Sequence, residues 1–344
     1  MKRLFFPALL LAAAASLFPA GKPETPAPEA QPAAQAATSE AQPAAPSEPV
    51  SIKIGALKGP TGFSMLQMIR TTPALGESAD AVYEIVNSPD LMVAKLLSGE
   101  ISIASLPTNL AAKLYNKNVP IRLAAVTGDA AFYILSLRND VSSVADLKGK
   151  LLYNIGKGAN TELVLNNILE SRGIDPAAEV TIDYRYSHLE EASMLIAGKI
   201  DLALLPEPFV SMVRAKNPAA VVAIDIQKEW KAIYGPNASL PVSVVVVRAD
   251  LLSKRPDVVR TFLLRYREAI DWINANPGEG GKLAEAFMEF PAPIAAKSIG
   301  NLNLRFSLGA DAREEIERHL SLLLAADADS VGGKLPDEAF YYSE

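Results

Sequence analysis

The sequence predicts an α/β protein built from two similar lobes, and three observations support this prediction. Two segments, residues 88–118 and 187–217, align without a gap at a constant offset of 99 residues. Each segment alternates short apolar runs with helical patterns, which indicates a mostly parallel sheet covered by helices. Two β-branched runs, at residues 132–138 and 241–252, stand where the chain must pass between the lobes.

The first 49 residues are expected to be a signal peptide followed by a tether. Lys2 and Arg3 precede an apolar run that is shorter than a membrane span, so residues 1–20 are assigned as a signal peptide. Residues 21–49 are almost entirely Pro, Ala, Glu, Gln, Ser and Thr, which is typical of a flexible linker. Gly21 stands where a lipoprotein needs cysteine. We therefore expect an exported protein, either periplasmic or tethered on the outer side of the inner membrane.

Composition excludes several classes of function. The chain has 344 residues, of which 49% are hydrophobic and 21% charged, so it can bury a large core. It has no cysteine, which excludes disulfides, thiolate metal sites and cysteine nucleophiles. Its net charge of -6 argues against nucleic acid as a partner. We find no spacing of catalytic or metal-binding residues, so no metal and no cofactor are predicted.

The repeat is carried by helix starts, helix ends and strand ends. Ser88 before a proline, and Ser187 with Glu190 three residues later, are typical N-caps. Gly99 and Gly198 stand where the helices must end. The identical pairs are Ser88/Ser187, Leu96/Leu195, Gly99/Gly198, Ile101/Ile200, Ala104/Ala203, Leu106/Leu205, Pro107/Pro206, Lys117/Lys216 and Asn118/Asn217.

Lobe boundaries follow from the repeat and from the two β-branched runs. We predict lobe 1 at residues 50–137 plus 248–344 and lobe 2 at 138–247, joined by a two-strand hinge. Helical patterns at 256–276, 281–290 and 310–325 are expected to pack on lobe 1. His319 lies in a charged helical pattern and is expected at the surface.

Four segments resemble a known family: "IKIGALKGPTG", "VADLKGKLLYNIGKGANTE", "AGKIDLALLPEPFVSMV" and "VVVVRADLLSKRPDVVRTFLLRYREAIDWINANP". They are similar to the type II solute-binding proteins of ABC importers, in the group for nitrate, sulfonates, bicarbonate and thiamine-pyrimidine precursors. The resemblance implies two Rossmann-like lobes that close on a small solute, and no enzymatic activity. It also implies delivery to an ABC permease and its ATPase by a protein that we expect to be monomeric.

Ligands in open α/β sheets bind beyond the carboxyl ends of the strands, which selects the candidate residues. The turn "LKGPTGFS" fails the phosphate-loop pattern, because Lys58 precedes the glycine and no Ser or Thr follows the lysine. Carrying the offset of 99 backwards pairs this turn with residues 156–160. The predicted ligand-binding residues are Gly59, Pro60, Thr61, Gly62, Phe63, Thr108, Asn109, Gly158, Ala159, Asn160, Thr161, Tyr186 and Glu207.

Some of these residues have an alternative interpretation. Thr108 and Asn109 equally suit a helix cap. Glu207, in "LPEPF", is the one acid predicted to point towards the cleft, and it equally suits contact with a permease or the first turn of a helix. Tyr184 and His188 flank Tyr186 and suit an aromatic lining. One residue of this cluster equally suits packing within the lobe, and His188 equally suits a solvated position at the start of its helix. An acid in the cleft favours a ligand with hydrogen-bond donors over nitrate or bicarbonate.

Two other functions fit the same fold. One is an enzyme of the thiamine-pyrimidine or menaquinone type, but the former needs a cysteine-rich iron motif that this chain lacks. The other is a sensor protein without a transporter, which the tether suits equally well.

Overall fold

The computed structural model describes residues 50–76, 79–155, 157 and 160–343, and the predicted signal peptide and tether lie outside these residues. The strands are β1 (Val50–Leu57), β2 (Ala79–Val86), β3 (Ile103–Pro107), β4 (Ile121–Asp129), β5 (Phe132–Ser136), β6 (Leu151–Asn154), β7 (Thr181–Asp183), β8 (Leu202–Pro206), β9 (Val221–Asp225), β10 (Pro241–Arg248) and β11 (Leu304–Leu308). The helices are α1 (Pro60–Phe63), α2 (Leu66–Thr71), α3 (Pro89–Ser98), α4 (Thr108–Asn116), α5 (Asn160–Ser171), α6 (His188–Ile196), α7 (Phe209–Lys216), α8 (Ile226–Tyr234), α9 (Ala249–Lys254), α10 (Pro256–Ala275), α11 (Pro277–Met288), α12 (Ala292–Ile299) and α13 (Arg313–Ala326).

Two sheets organise these elements, and their strand orders correspond. The first sheet has the order β11-β4-β10-β3-β1-β2, and the second has the order β7-β6-β8-β5-β9. In both sheets a central strand is parallel to its two neighbours, β1 to β2 and β3, and β6 to β7 and β8. An antiparallel strand then follows, β10 in the first sheet and β5 in the second. The prediction of two α/β units is confirmed.

The internal repeat is confirmed by the backbone. Strands β3 and β8 are 99 residues apart at both ends, and α3 and α6 begin 99 residues apart. The Ser88 hydroxyl accepts a hydrogen bond from the Leu91 N–H at 3.3 Å. Ser187 forms the predicted capping box with Glu190. Gly99 and Gly198 adopt φ values of 76° and 63°, the left-handed conformation that ends a helix without a Cβ clash.

The gapless extension of the repeat back to the first turn is wrong by one residue. Gly55 is paired with Ala104, whereas Ala203, the counterpart of Ala104, is paired with Tyr153. The offset between β1 and β6 is therefore 98. Helices α1 and α5 begin 100 residues apart, so the chain from Tyr153 to α5 is two residues longer than the chain from its counterpart Gly55 to α1. Turn length changes easily between copies because it does not alter the core.

The chain crosses between the sheets twice, and both crossings differ from the predicted bounds. Strand β5 belongs to the second sheet and β10 to the first, so the crossings lie near residues 130 and 240, not near 137 and 248. The two crossing segments run side by side, and the Ala130 N–H donates to the Leu240 carbonyl at 2.9 Å.

In the tail, α10 and α11 pack against α2, and α13 contacts both α4 and α5. The tail holds more elements than the sequence pattern predicts. Strand β11 extends the first sheet by pairing with β4. Helix α12 packs between α11 and α7, and α7 follows a strand of the second sheet. Neither β11 nor α12 was predicted.

The expected exposure of His319 is wrong. The side chain is fully buried on the inner face of α13, in line with Ile316, Leu320 and Leu323. Burial disfavours the charged imidazole and lowers the pKa of His319 to about 4. Among the residues that the structure describes, no helix is both long enough and apolar enough to span a bilayer.

Candidate ligand-binding site

A row of aromatic rings joins loops from both sheets. Phe63 follows β1, Phe209 follows β8, and His188 follows β7, while Phe290 lies between α11 and α12. Ring centroids are 5.9 Å apart for Phe63 and Phe290, 6.4 Å for Phe290 and Phe209, and 5.5 Å for Phe209 and His188. The carboxyl ends of strands from the two sheets therefore meet here, where this fold class binds ligands.

The turn that follows β1 needs its glycines. Gly59 adopts a φ of 134°, outside the range that L-residues favour, and precedes Pro60 at the first helical position. A Cβ at Gly62 would lie 2.2 Å from the Leu57 carbonyl oxygen and 2.4 Å from the Met288 methyl group. Only glycine fits at position 62, and this close approach places the Phe63 ring fully inside the core.

A network of hydroxyl groups holds the backbone of this turn in place. The Thr61 carbonyl accepts hydrogen bonds from the Ser64 and Ser105 hydroxyls, both at 2.9 Å. The Ser64 oxygen lies 2.6 Å from the Tyr266 hydroxyl, and burial raises the pKa of Tyr266 to about 12. Because its carbonyl is held twice, Thr61 has a fixed position, and its side chain is only half-buried. Lys58 points outwards to an ion pair with Glu289.

The opposing turn is described in part. Gly158 and Ala159 lie outside the described residues. Thr161 is buried, and its hydroxyl donates to the Ile155 carbonyl at 2.7 Å, which ties the start of α5 to the end of β6. Asn160, the first residue of α5, is half-buried, and its Oδ1 atom has no hydrogen-bond partner within the described part of the chain. Asn160 is therefore the side chain of this turn that retains free hydrogen-bonding capacity.

Tyrosines cluster where β7 ends. The ring centroids of Tyr186 and Tyr153 are 5.5 Å apart, and both rings are half-buried. Burial raises the pKa of Tyr184, and a hydrogen bond to Glu162 adds to the shift. Desolvation lowers the pKa of His188, although that residue keeps exposed surface. These rings provide a flat apolar wall with polar edges.

Glu207 is fully buried, and both of its carboxylate oxygens are engaged. Oε2 accepts from the Ser211 N–H at 3.0 Å, and Oε1 accepts from the Ser211 hydroxyl at 3.0 Å and the Asn301 amide at 2.9 Å. Burial raises the pKa of Glu207, while these hydrogen bonds and the Arg214 charge act in the opposite direction. The carboxylate thus lies at the N-terminus of α7, which begins two residues later, and also contacts the tail through Asn301.

The remaining predicted residues follow β3. The Thr108 hydroxyl donates to the Pro241 carbonyl at 2.8 Å, so it joins the start of α4 to the start of β10. Asn109 is half-buried on α4. The described residues contain no group of three or more His, Asp or Glu side chains arranged to hold a metal ion.

Three residues of this region were not recognised from the sequence. Phe209 stands directly after the "LPEP" segment, so the rule for strand ends that selects Glu207 also applies to it. Phe290 and Asn301 come from the tail, more than 80 residues after Glu207, and no local pattern connects them with it. Only the three-dimensional packing of α12 on α7 brings them to the site.

Two α/β units with corresponding strand orders, and strand-end loops that meet between them, are the fold of the type II periplasmic binding proteins. The chain belongs to the NMT1/THI5-like family, whose model matches residues 77–280. No curated protein shows significant similarity to the chain.

Solved structures share the fold across nearly their whole length. A structure titled as an ABC transporter from Parabacteroides distasonis is 24% identical with a TM-score of 0.75, over 86% of this chain and 99% of that chain. The aliphatic sulphonate binding protein SsuA from Escherichia coli is 17% identical with a TM-score of 0.66, over 85% and 96%. The nitrate-binding protein NrtA from Synechocystis PCC 6803 is 14% identical with a TM-score of 0.60, over 83% and 84%. At such identities the likeness is one of fold.

Proposed function

We propose that this protein is the extracytoplasmic solute-binding receptor of an ABC importer. Two lobes, one built on each sheet, close on a small solute and deliver it to a membrane permease driven by an ATPase. The observation that carries this proposal is the row of rings from Phe63 through Phe290 to Phe209, which lies between loops of the two sheets. Solute-binding proteins with this fold, for sulphonate and for nitrate, support it.

The chemistry of the site favours a flat organic solute with N–H or O–H donors. Phe209 and Tyr186, which are both half-buried, offer aromatic surface on which a planar ring stacks, and the buried Phe63 ring supports this surface through Phe290. The N-termini of α6 and α7 already hold the carboxylates of Glu190 and Glu207, which reduces their attraction for an anion. The free Oδ1 of Asn160 is an acceptor. A pyrimidine precursor suits these features better than nitrate, and a sulfonate remains the second class to test.

Binding rather than catalysis is proposed because of how the polar groups of the site are used. The Glu207 carboxylate is held by Ser211 and Asn301, and the Thr161 hydroxyl is held by the Ile155 carbonyl. These hydrogen bonds give both groups a role in orienting loops. We also propose that the mature receptor acts outside the inner membrane, as the predicted signal peptide and tether imply.

A thermal-shift panel tests the proposal. Pyrimidine precursors, aromatic acids, sulfonates, nitrate and bicarbonate are added one at a time to the purified protein. A solute at 100 times its Kd stabilises the folded state by about 2.7 kcal/mol, which raises the melting temperature by a few degrees. We expect a shift with a planar, donor-bearing solute, and a panel without any shift would contradict the proposal.

The position of the site is tested with a bulky substitution. Thr61→Trp is expected to abolish the shift, because Thr61 is half-buried on a turn fixed by Ser64 and Ser105. Thr71→Trp, on the exposed end of α2, is the matched control and should keep the shift. Unchanged affinity in a folded Thr61→Trp protein would place the site elsewhere.

A further inference from the structure

The tail segment 289–305 is tightly joined to the first-sheet side of the molecule. It comprises the Phe290 turn, helix α12 and the beginning of β11. Helix α12 fits closely on α11, because a Cβ at Gly281 would lie 2.4 Å from the Ala292 carbonyl oxygen and 2.9 Å from the Ala296 Cβ. At its other end, β11 pairs with β4. The segment therefore moves as part of the first sheet and its helices.

The same segment contacts elements of the second sheet at both of its ends. The Phe290 ring meets the Phe209 ring edge to face, with centroids 6.4 Å apart. The Asn301 amide donates to Glu207 Oε1 at 2.9 Å, and the Asn301 carbonyl accepts from the Tyr133 hydroxyl at 2.9 Å. Glu207 follows β8 and Tyr133 lies in β5, so both partners belong to the second sheet.

Beyond Asn301, the segment holds both crossing segments. The Asn303 amide donates to the Ala130 carbonyl at 2.7 Å. The Arg305 guanidinium donates to Asp129 Oδ1 at 2.9 Å and to the Ser239 hydroxyl at 2.8 Å, and it also pairs with Glu315. Asp129 ends β4, and Ser239 precedes β10. Asn303 and Arg305 thus lie where the chain passes between the sheets, where rotation displaces atoms least.

We propose that residues 289–305 form a brace that closes the second lobe onto the first, and that Asn301 is its positioning residue. This inference rests on the proposed function. When the lobes part, the contacts near the crossings persist, whereas the contacts of Phe290 and Asn301 with α7 and β8 separate. Separation leaves the buried Glu207 carboxylate without one of its donors, which is costly for a charge in a low-dielectric setting. The Asn301–Glu207 hydrogen bond therefore favours the closed state.

Two like charges that line the same interface oppose closure of the lobes. A groove of about 460 Å³ separates α7 from α12 and is lined by Arg214 on one side and Lys297 on the other. Among the described residues neither cation forms a salt bridge, although the Arg214 charge acts on the Glu207 carboxylate. Two like charges that approach on closure raise the free energy of the closed state. The Lys297 charge therefore favours the open state, whereas Asn301 favours the closed state.

The absence of native cysteine permits a direct distance measurement. Spin labels are attached to Ser98→Cys and Lys199→Cys, two exposed sites at the ends of α3 and α6. Double electron–electron resonance then reports the separation of the lobes without any solute. Asn301→Ala should shift the distribution to longer distances, and Lys297→Glu, which faces Arg214, should shift it to shorter ones.

Asn274→Ala is the matched control. It removes an amide-to-carbonyl hydrogen bond of 3.0 Å to Leu304, but that bond lies on the first-sheet side alone. We expect no change in the distance distribution for this variant. Where a solute is in hand, Asn301→Ala should weaken binding about tenfold by depleting the closed state, and Glu207→Gln should not add to that loss.

Two results separate the brace from the proposed function. An unchanged distance distribution in folded Asn301→Ala, with a loss of stability equal to that of Asn274→Ala, would overturn the brace. A shifted distribution in a protein that no solute stabilises would support the brace and contradict the solute-binding function.

Discussion

The two copies of the repeat share a backbone but differ in what they bury beside their sheets. Met92 in α3 and Glu191 in α6 are counterparts, and both are fully buried. Met92 lies over Gly55, where an added Cβ would come within 2.7 Å of its sulfur. Among the residues that the structure describes, Glu191 has no hydrogen-bond partner for either carboxylate oxygen. Burial, aided by the nearby Asp183 charge, raises the pKa of Glu191 to about 8.

Other counterpart positions differ in the same sense. Thr108 in the first copy corresponds to Glu207 in the second, and Asn87 corresponds to Tyr186. Position 56 is a buried alanine, and its counterpart by strand register is the buried Asn154. At these positions the first copy carries no acid and no aromatic ring, whereas the second carries two acids, an amide and a tyrosine. A core that keeps an unpaired acid sacrifices stability, so the difference points to recognition in the second copy.

The largest change in stability is expected when the acid is placed in the first copy. Met92→Glu puts a carboxyl group among Gly55 and Ile101, and Lys95, the cation one turn along the helix, is already held by Glu84 and Glu100. We expect a loss of about 4 kcal/mol or more at pH 8, enough to unfold much of the protein. Chemical denaturation followed by circular dichroism measures it. A folded variant with unchanged stability would show that the first copy tolerates acids as well as the second.

The converse substitution has a slightly smaller effect of opposite sign. Glu191 ionises near pH 4.5 when unfolded and near pH 8 when folded, so the folded state binds the extra proton between these values. Wild-type stability should therefore fall as the pH rises from about 4.5 to about 8, by on the order of 3 to 5 kcal/mol at most. Glu191→Met should remove this slope and be the more stable protein at pH 8.

Urea denaturation at a series of pH values measures the Glu191 contribution. Glu191→Gln is the matched control, because it removes the titration but keeps a polar group in the core. It should remove the slope while gaining less stability than the methionine variant. A slope that persists in both variants would assign the pH dependence to other groups, and the comparison of the two copies would lose its energetic basis.

Local sequence signals made the repeat predictable. The elements that depend on long-range contacts were not predictable from the sequence. Ser88, Ser187, Gly99 and Gly198 act within one helical turn of their own position, so their roles could be read from neighbouring residues. The site loops were placed by the general rule for strand ends. Strand β11 and helix α12 were missed because their stability comes from pairing with β4 and packing on α11 and α7. The contact of Asn301 with Glu207 depends on the packing of the tail beside β8, so no local pattern indicates it.

His319 shows a different kind of failure. Its neighbours Arg318 and Glu317 are charged, and this run of charges suggests a helix face exposed to solvent. Residues 312, 316, 320 and 323 recur at helical spacing and are all buried, and position 319 lies on the same face as 312, 316 and 323. The periodicity was sufficient to predict burial, but a titratable residue on that face was given the exposure that its type usually has.

The smallest difference between the copies lies in their helix caps. Ser88 caps α3 alone, whereas at Ser187 the Glu190 carboxylate also accepts from the Ser187 N–H at 2.9 Å. That second hydrogen bond uses the backbone of residue 187 and survives loss of the serine hydroxyl. We therefore expect Ser88→Ala to cost about 1 kcal/mol and Ser187→Ala about half as much. Urea denaturation at pH 7 measures both. Adding Glu190→Ala to Ser187→Ala should remove this second hydrogen bond and bring the cost up to that of Ser88→Ala. Equal costs for the two single substitutions would mean that the capping box adds nothing in the second copy.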